Sequence, residues 1–181
     1  IGGGGFGRSP ENPIIEKYIL DQSNSANPNI CFFPTASAEN KGYIDNYYKA
    51  FSKLDCTPTH ISLFKRTPDV KAEIEKSDII YIGGGNTKSM LAVFEEWDIN
   101  RLLLEAYKNG KILAGVSAGA ICWFTKGITD SWADELKVLD CLDILPGCCC
   151  PHYDGEKDRR PSVIEFINSG KIESCIALED G

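Results

Sequence analysis

Apolar residues in this chain fall into short runs separated by stretches in which they recur at helical spacing. Five segments read as strands: Asn29–Phe33, which Pro34 ends, Thr59–Phe64, Asp78–Ile82, Ile112–Val116 and the strand-like Cys175–Leu178. Between them lie helical patterns. The segment Tyr43–Leu54 carries Tyr43, Tyr47, Ala50, Phe51 and Leu54 on one face. Further helices are expected over Pro13–Ile19, over an acidic stretch from Pro68 to Lys76, and around Met90, Leu91 and Phe94. Another runs from Asn100 to Asn109, with Gly110 in the C-terminal position that glycine favours. The small apolar stretch Ala118–Phe124 suits a helix buried at its start.

Strands that alternate with helices call for a mostly parallel sheet covered by helices on both faces, a three-layer α/β fold. Ligands of such sheets sit beyond the carboxyl ends of the strands. Three glycine-rich loops converge on that edge, at residues 2–7, 83–87 and 115–119. The third is Gly115-Val-Ser-Ala-Gly119, a G-x-S-x-G string between an apolar strand and an apolar helix. A turn tight enough to lift Ser117 out of the sheet edge crowds neighbouring Cβ atoms, which explains a glycine on either side. The first two loops are not nucleotide motifs. In Gly2–Gly7 the segment Arg8–Pro13 separates the last glycine from the helix, and in Gly83–Thr87 no Gly-Lys-Ser/Thr follows.

A serine nucleophile needs a base, and the chain has two histidines. His60 lies within an expected strand upstream. His152 follows the apolar run Leu142–Leu145 in a polar loop, from which it can reach the sheet's active edge, and is the better candidate. Glu179 and Asp180 end the strand-like segment Cys175–Leu178 at the same edge and supply the acid that orients the imidazole. The order serine, histidine, acid differs from the serine, acid, histidine order of α/β-hydrolases.

Charge and cysteine content narrow the classes. A net charge of −7 without a basic block excludes a nucleic-acid surface and a polybasic membrane patch. No apolar run approaches the roughly 20 residues of a membrane span. The eight cysteines read as free thiols of a reducing cytosol, so a cytoplasmic protein is expected. Cys148-Cys149-Cys150 with His152 lacks the spacing of a zinc site, because adjacent strand residues alternate faces. Neither metal nor organic cofactor is expected. The chain opens on Ile1 in a glycine run and stops at Gly181 after an apolar stretch. The expectation is one domain over 1–181, short of a few residues upstream and of a segment downstream.

Four motifs in order, Gly83-Gly-Gly-Asn-Thr87, Gly115-Val-Ser-Ala-Gly-Ala120, Pro151-His-Tyr153 and Leu178-Glu-Asp-Gly181, resemble the peptidase E family, as does Phe33-Pro-Thr-Ala-Ser37. That family comprises aspartyl dipeptidase and its relative cyanophycinase. The resemblance spans nearly the whole chain. It implies a flavodoxin-like sheet related to class I glutamine amidotransferases, with serine in place of their cysteine. It further implies Ser117 as nucleophile, His152 as base, and Asp180 or the adjacent Glu179 as the third member. The oxyanion hole would be the N–H groups of Gly85 and Ala118. Substrate-binding positions would be Asn86, Asp130, and Arg159 or Arg160, which follow the histidine where aspartyl dipeptidase uses an arginine to hold the substrate's aspartate. The partner so implied is a small peptide, cleaved through an acyl-enzyme. Alternatives from the residues themselves are a non-catalytic small-molecule or nucleotide-binding protein of the same fold, or another serine acyl hydrolase.

Overall fold

The computed structural model describes residues 1–181. Four strands, β1 (Asn29–Phe33), β2 (Thr57–His60), β3 (Ile79–Ile82) and β4 (Ile112–Gly115), form an all-parallel ladder in the order β2-β1-β3-β4. The central strands β1 and β3 are buried on both faces, and alternate residues face opposite helix layers, as a strand period of two requires. Cys31, Phe33, Ile80 and Ile82 pack with α3 (Val70–Lys76), α4 (Thr87–Glu96), α5 (Ile99–Lys108) and α6 (Ala118–Ile121). Ile30, Phe32, Ile79 and Tyr81 pack on the other side with α1 (Ile14–Leu20) and α2 (Lys41–Phe51). Phe6, from the 3-10 turn Gly5–Gly7, is buried in this second layer against the rings of Phe32, Tyr43 and Tyr47. The three-layer α/β architecture is as expected.

A second ladder, β6-β5-β7-β8, is built from β5 (Phe124–Thr129), β6 (Lys137–Asp140), β7 (Leu145–Cys150) and β8 (Ile176–Ala177). Only β6 runs antiparallel to its neighbour. Residues 1–3 join the two ladders. On one side the Ile1 nitrogen donates to Gly115 O (3.0 Å) and Ser117 N donates to Ile1 O (3.1 Å). On the other, Gly2 N donates to Glu179 O and Gly181 N to Gly3 O, both at 3.1 Å, around a parallel bridge between Gly3 and Asp180. Hydrogen bonding thus continues across the sheet through a three-residue strip.

Several boundaries differ from the sequence reading. The expected helix Ala118–Phe124 ends at Ile121, and Phe124 already starts β5. The strand expected at Thr59–Phe64 lies at Thr57–His60, so Pro58 is inside it. This is tolerable because β2 is the edge of its ladder, where a missing N–H breaks no pairing. The charged stretch after His152 is not all loop, because α7 begins at Arg159 and runs to Asn168. In β7 the three cysteines alternate faces: Cys149 enters the main core, whereas Cys148 and Cys150 pack with Val163 and Phe166 of α7. All eight cysteines are free thiols. No helix is long and apolar enough to cross a membrane.

Candidate active site

Ser117 stands between β4 and α6 with φ 53° and ψ −115°, in the positive-φ region that side chains rarely occupy. The flanking glycines make this turn possible. A Cβ on Gly119 would lie 1.9 Å from Ile82 O, and one on Gly115 would lie 2.1 Å from Gly119 O. Only bare backbone lets the start of α6 press this closely onto the ends of β3 and β4.

His152 follows β7 and also has positive φ, 51°. His152 is 9% exposed. A Cβ on Gly3 would lie 2.7 Å from the imidazole and 2.4 Å from Asp180 Oδ1, so the opening glycine run makes room for both groups. His152 Nε2 lies 2.9 Å from Ser117 Oγ, and Nδ1 lies 2.6 Å from Asp180 Oδ1. With the ring proton on Nδ1, the imidazole donates to the carboxylate and accepts from the serine hydroxyl. Of the two acids left open by the sequence, Asp180 makes the contact, and exposed Glu179 does not. Asp154 Oδ1 accepts from the Asp180 backbone N–H at 3.0 Å and braces the segment from behind.

Partial burial raises the Asp180 carboxyl, but hydrogen bonds from Arg8 and His152, with their charges, outweigh it and hold the group below the ordinary carboxylate value. The Arg8 contact is Nη1 to Oδ2, 2.8 Å. Sequence reasoning passed over Arg8, although the residue directly after a glycine loop at the active edge is within reach of that edge.

Ser117 and His152 open onto a cleft of about 510 Å³, lined also by Gly84, Arg8, Tyr43 and Asn40. Gly84 abuts the serine, with an ideal Cβ 3.3 Å from Ser117 Cβ, and its N–H donates to Tyr43 Oη at 3.3 Å. Burial pushes the Tyr43 phenol up to about 12, so it remains neutral at physiological pH. Gly85 is next along this loop with φ 137°. Neither its N–H nor that of Ala118 has an acceptor within the chain.

The remaining expected substrate positions lie elsewhere. Both polar atoms of the Asn86 side chain are engaged: Oδ1 caps α4 by accepting from Ser89 N (2.8 Å), and Nδ2 donates to Ser131 O (3.2 Å). Arg159 is 1% exposed, with Nη1 on Ile128 O (3.1 Å), Nε on Glu156 (2.7 Å) and Nη2 near Asp130 (3.4 Å). A guanidinium with these partners is a strut between α7 and β5. Asp130 meets Arg159 here and borders a different cavity. Arg160 is exposed and lies over the Tyr153 ring, 5.1 Å from its centroid. None of these four residues lines the Ser117 cleft. His60 is on the edge strand β2, bonded to Tyr48 Oη at 2.7 Å.

Fold and sequence together define the class: the chain is a serine-type peptidase. It belongs to peptidase family S51, whose model matches residues 1–181. A Bacillus subtilis (strain 168) protein named uncharacterized peptidase YgaJ is 49% identical over 182 residues, covering 100% of this chain and 79% of that protein. A protein named peptidase E from Shewanella sp. (strain ANA-3) is 27% identical over 133 residues, 67% of this chain and 55% of that one. Among solved structures, a putative peptidase E from Listeria monocytogenes EGD-e superposes with a TM-score of 0.69 at 20% identity, covering 91% of this chain and 84% of that one. At that identity the likeness concerns the fold.

Proposed function

We propose that Ser117, His152 and Asp180 are a catalytic triad that hydrolyses small peptides through an acyl-enzyme. One observation carries this reading: the unbroken hydrogen-bonded line from Ser117 Oγ through the imidazole to Asp180, open to a cleft at its serine end. Ser117 Oγ attacks the scissile carbonyl carbon while its proton passes to His152 Nε2. The C–N bond then breaks, and the leaving amine takes that proton. Water attacks the resulting ester, again giving up a proton to Nε2, and the acid product leaves as the serine hydroxyl is restored. Asp180 stays ionised throughout and stabilises the imidazolium. The carbonyl oxygen, negative in each tetrahedral intermediate, is assigned to the N–H groups of Gly85 and Ala118, both free of intramolecular acceptors. The chain's own side chains and backbone thus supply every step.

The aspartate preference implied by the family resemblance calls for a cation at the cleft. The location of Arg159 in a buried network argues against the role first expected of it. Arg160 also stands away from the cleft.

A fluorophosphonate probe followed by peptide mass analysis tests the triad. The expected result is a single adduct on Ser117 in wild type, with labelling greatly slowed in His152→Ala. Folded wild-type protein that takes no label on Ser117 overturns the assignment.

A further inference from the structure

Arg8 is the one permanently charged side chain lining the Ser117 cleft. Its guanidinium carries five N–H donors, yet only Nη1 has a partner, Asp180 Oδ2 at 2.8 Å, and 59% of the side chain is exposed. Nη2 and Nε have no acceptor in the chain and are free to bind one. The bond to Asp180 also fixes where Arg8 stands. Asp180 holds the Nδ1 side of the imidazole and Ser117 the Nε2 side, so Arg8 is anchored on the histidine's flank of the cleft. Arg8, Ser117 and His152 line one cleft, and in the mechanism above the leaving amine collects its proton from Nε2, so the leaving residue lies on the histidine side of the serine in that cleft.

We propose that Arg8 is a specificity-determining residue that binds the α-carboxylate of the residue released, and so directs the enzyme to short peptides with a free C-terminus there. This rests on the triad reading. A net charge of −7 gives an anion no long-range attraction, so recognition of a carboxylate has to be local. Arginine suits the task because its planar fork can keep one edge on Asp180 and offer another to the substrate. The same cation would disfavour a protonated or amidated end, and a longer chain would carry its carboxylate past the fork.

The test compares kcat/KM for Asp-Leu and Ala-Leu dipeptides with their C-terminal amides, in wild type, Arg8→Gln and Arg8→Lys. Arg8 also touches Asp180, so either substitution can change the rate on every substrate. The acid-to-amide ratio cancels that shared effect. Wild type is expected to favour the free acids by roughly tenfold or more, the scale of a hydrogen bond to a charged group. Arg8→Gln should bring the ratio close to unity, and Arg8→Lys should fall between. An unchanged ratio in Arg8→Gln, or none in wild type, overturns the proposal. So does a variant that keeps the acid-to-amide ratio and loses only the difference between Asp-Leu and Ala-Leu, since Arg8 would then read the acyl side. Hydrolysis that survives Ser117→Ala would instead sink the triad reading on which the proposal rests.

Discussion

Ser117→Ala is expected to lower kcat by roughly 10⁴- to 10⁶-fold, the range seen when a triad nucleophile is removed. The fold should be unaffected. Alanine keeps the Cβ that already sits at φ 53°, so the strain of the turn is the same in both proteins. The backbone bonds that hold it, Ser117 N to Ile1 O and Ala120 N to Ser117 O, are also retained. What disappears is the hydroxyl at 2.9 Å from His152 Nε2 and with it the covalent route. Residual activity would come from a water molecule in the vacated space and from backbone N–H groups that still stabilise negative oxygen. Steady-state kinetics beside a thermal melt make the measurement. A loss of only a fewfold in protein with wild-type Tm would end the covalent mechanism.

His152→Ala should be nearly as damaging, roughly 10⁴-fold or more, and the Ser117→Ala/His152→Ala double variant little worse than either alone. Without the base the serine hydroxyl has no proton acceptor in reach, and without the serine the base has nothing to activate, so the two losses do not add. His60→Ala is the control. That ring, on the edge strand, is bonded to Tyr48 of α2, and its removal should act on stability alone. Independent multiplication of the Ser117 and His152 effects, or an indispensable His60, would refute the proposed proton path.

The parts of the site that could be read from sequence are those enforced by backbone geometry. Gly115 and Gly119 are required because a Cβ on either would fall about 2 Å from a backbone oxygen, so the turn carries a local pattern. His152 was accessible by elimination in a chain with two histidines. The central strands β1 and β3 were legible because they are buried on both faces, which makes them continuous apolar runs. Most of the second ladder was not, although β8 falls within the expected strand Cys175–Leu178. In β5, Lys126 and Gly127 interrupt the run, and in β7 Pro146 and Gly147 do. Periodicity also cannot separate a short buried helix from a strand, which is how Phe124 was assigned to the helix before it. Arg159 misled for a different reason. The resemblance placed an arginine of Glu156-Lys-Asp-Arg-Arg160 at the substrate, and only tertiary packing shows that Arg159 is buried against Ile128 O instead.

The strip formed by residues 1–3 gives the enzyme a mechanical character. Ser117 belongs to the β2-β1-β3-β4 half of the molecule, whereas His152 and Asp180 belong to the half containing β7 and β8. The serine–histidine bond therefore spans a seam, closed by backbone hydrogen bonds to Ile1, Gly2 and Gly3 and by a shared apolar core in which Phe124 and Cys149 meet Ile80 and Ile82. Loosening of that strip would part oxygen from nitrogen while the shared core still held the two ladders together. Turnover then acts as a gauge of how well the halves are welded. In a denaturant titration, activity should fall at lower concentration than the far-ultraviolet helix signal, and coincident midpoints would show that the seam is as strong as the layers it joins.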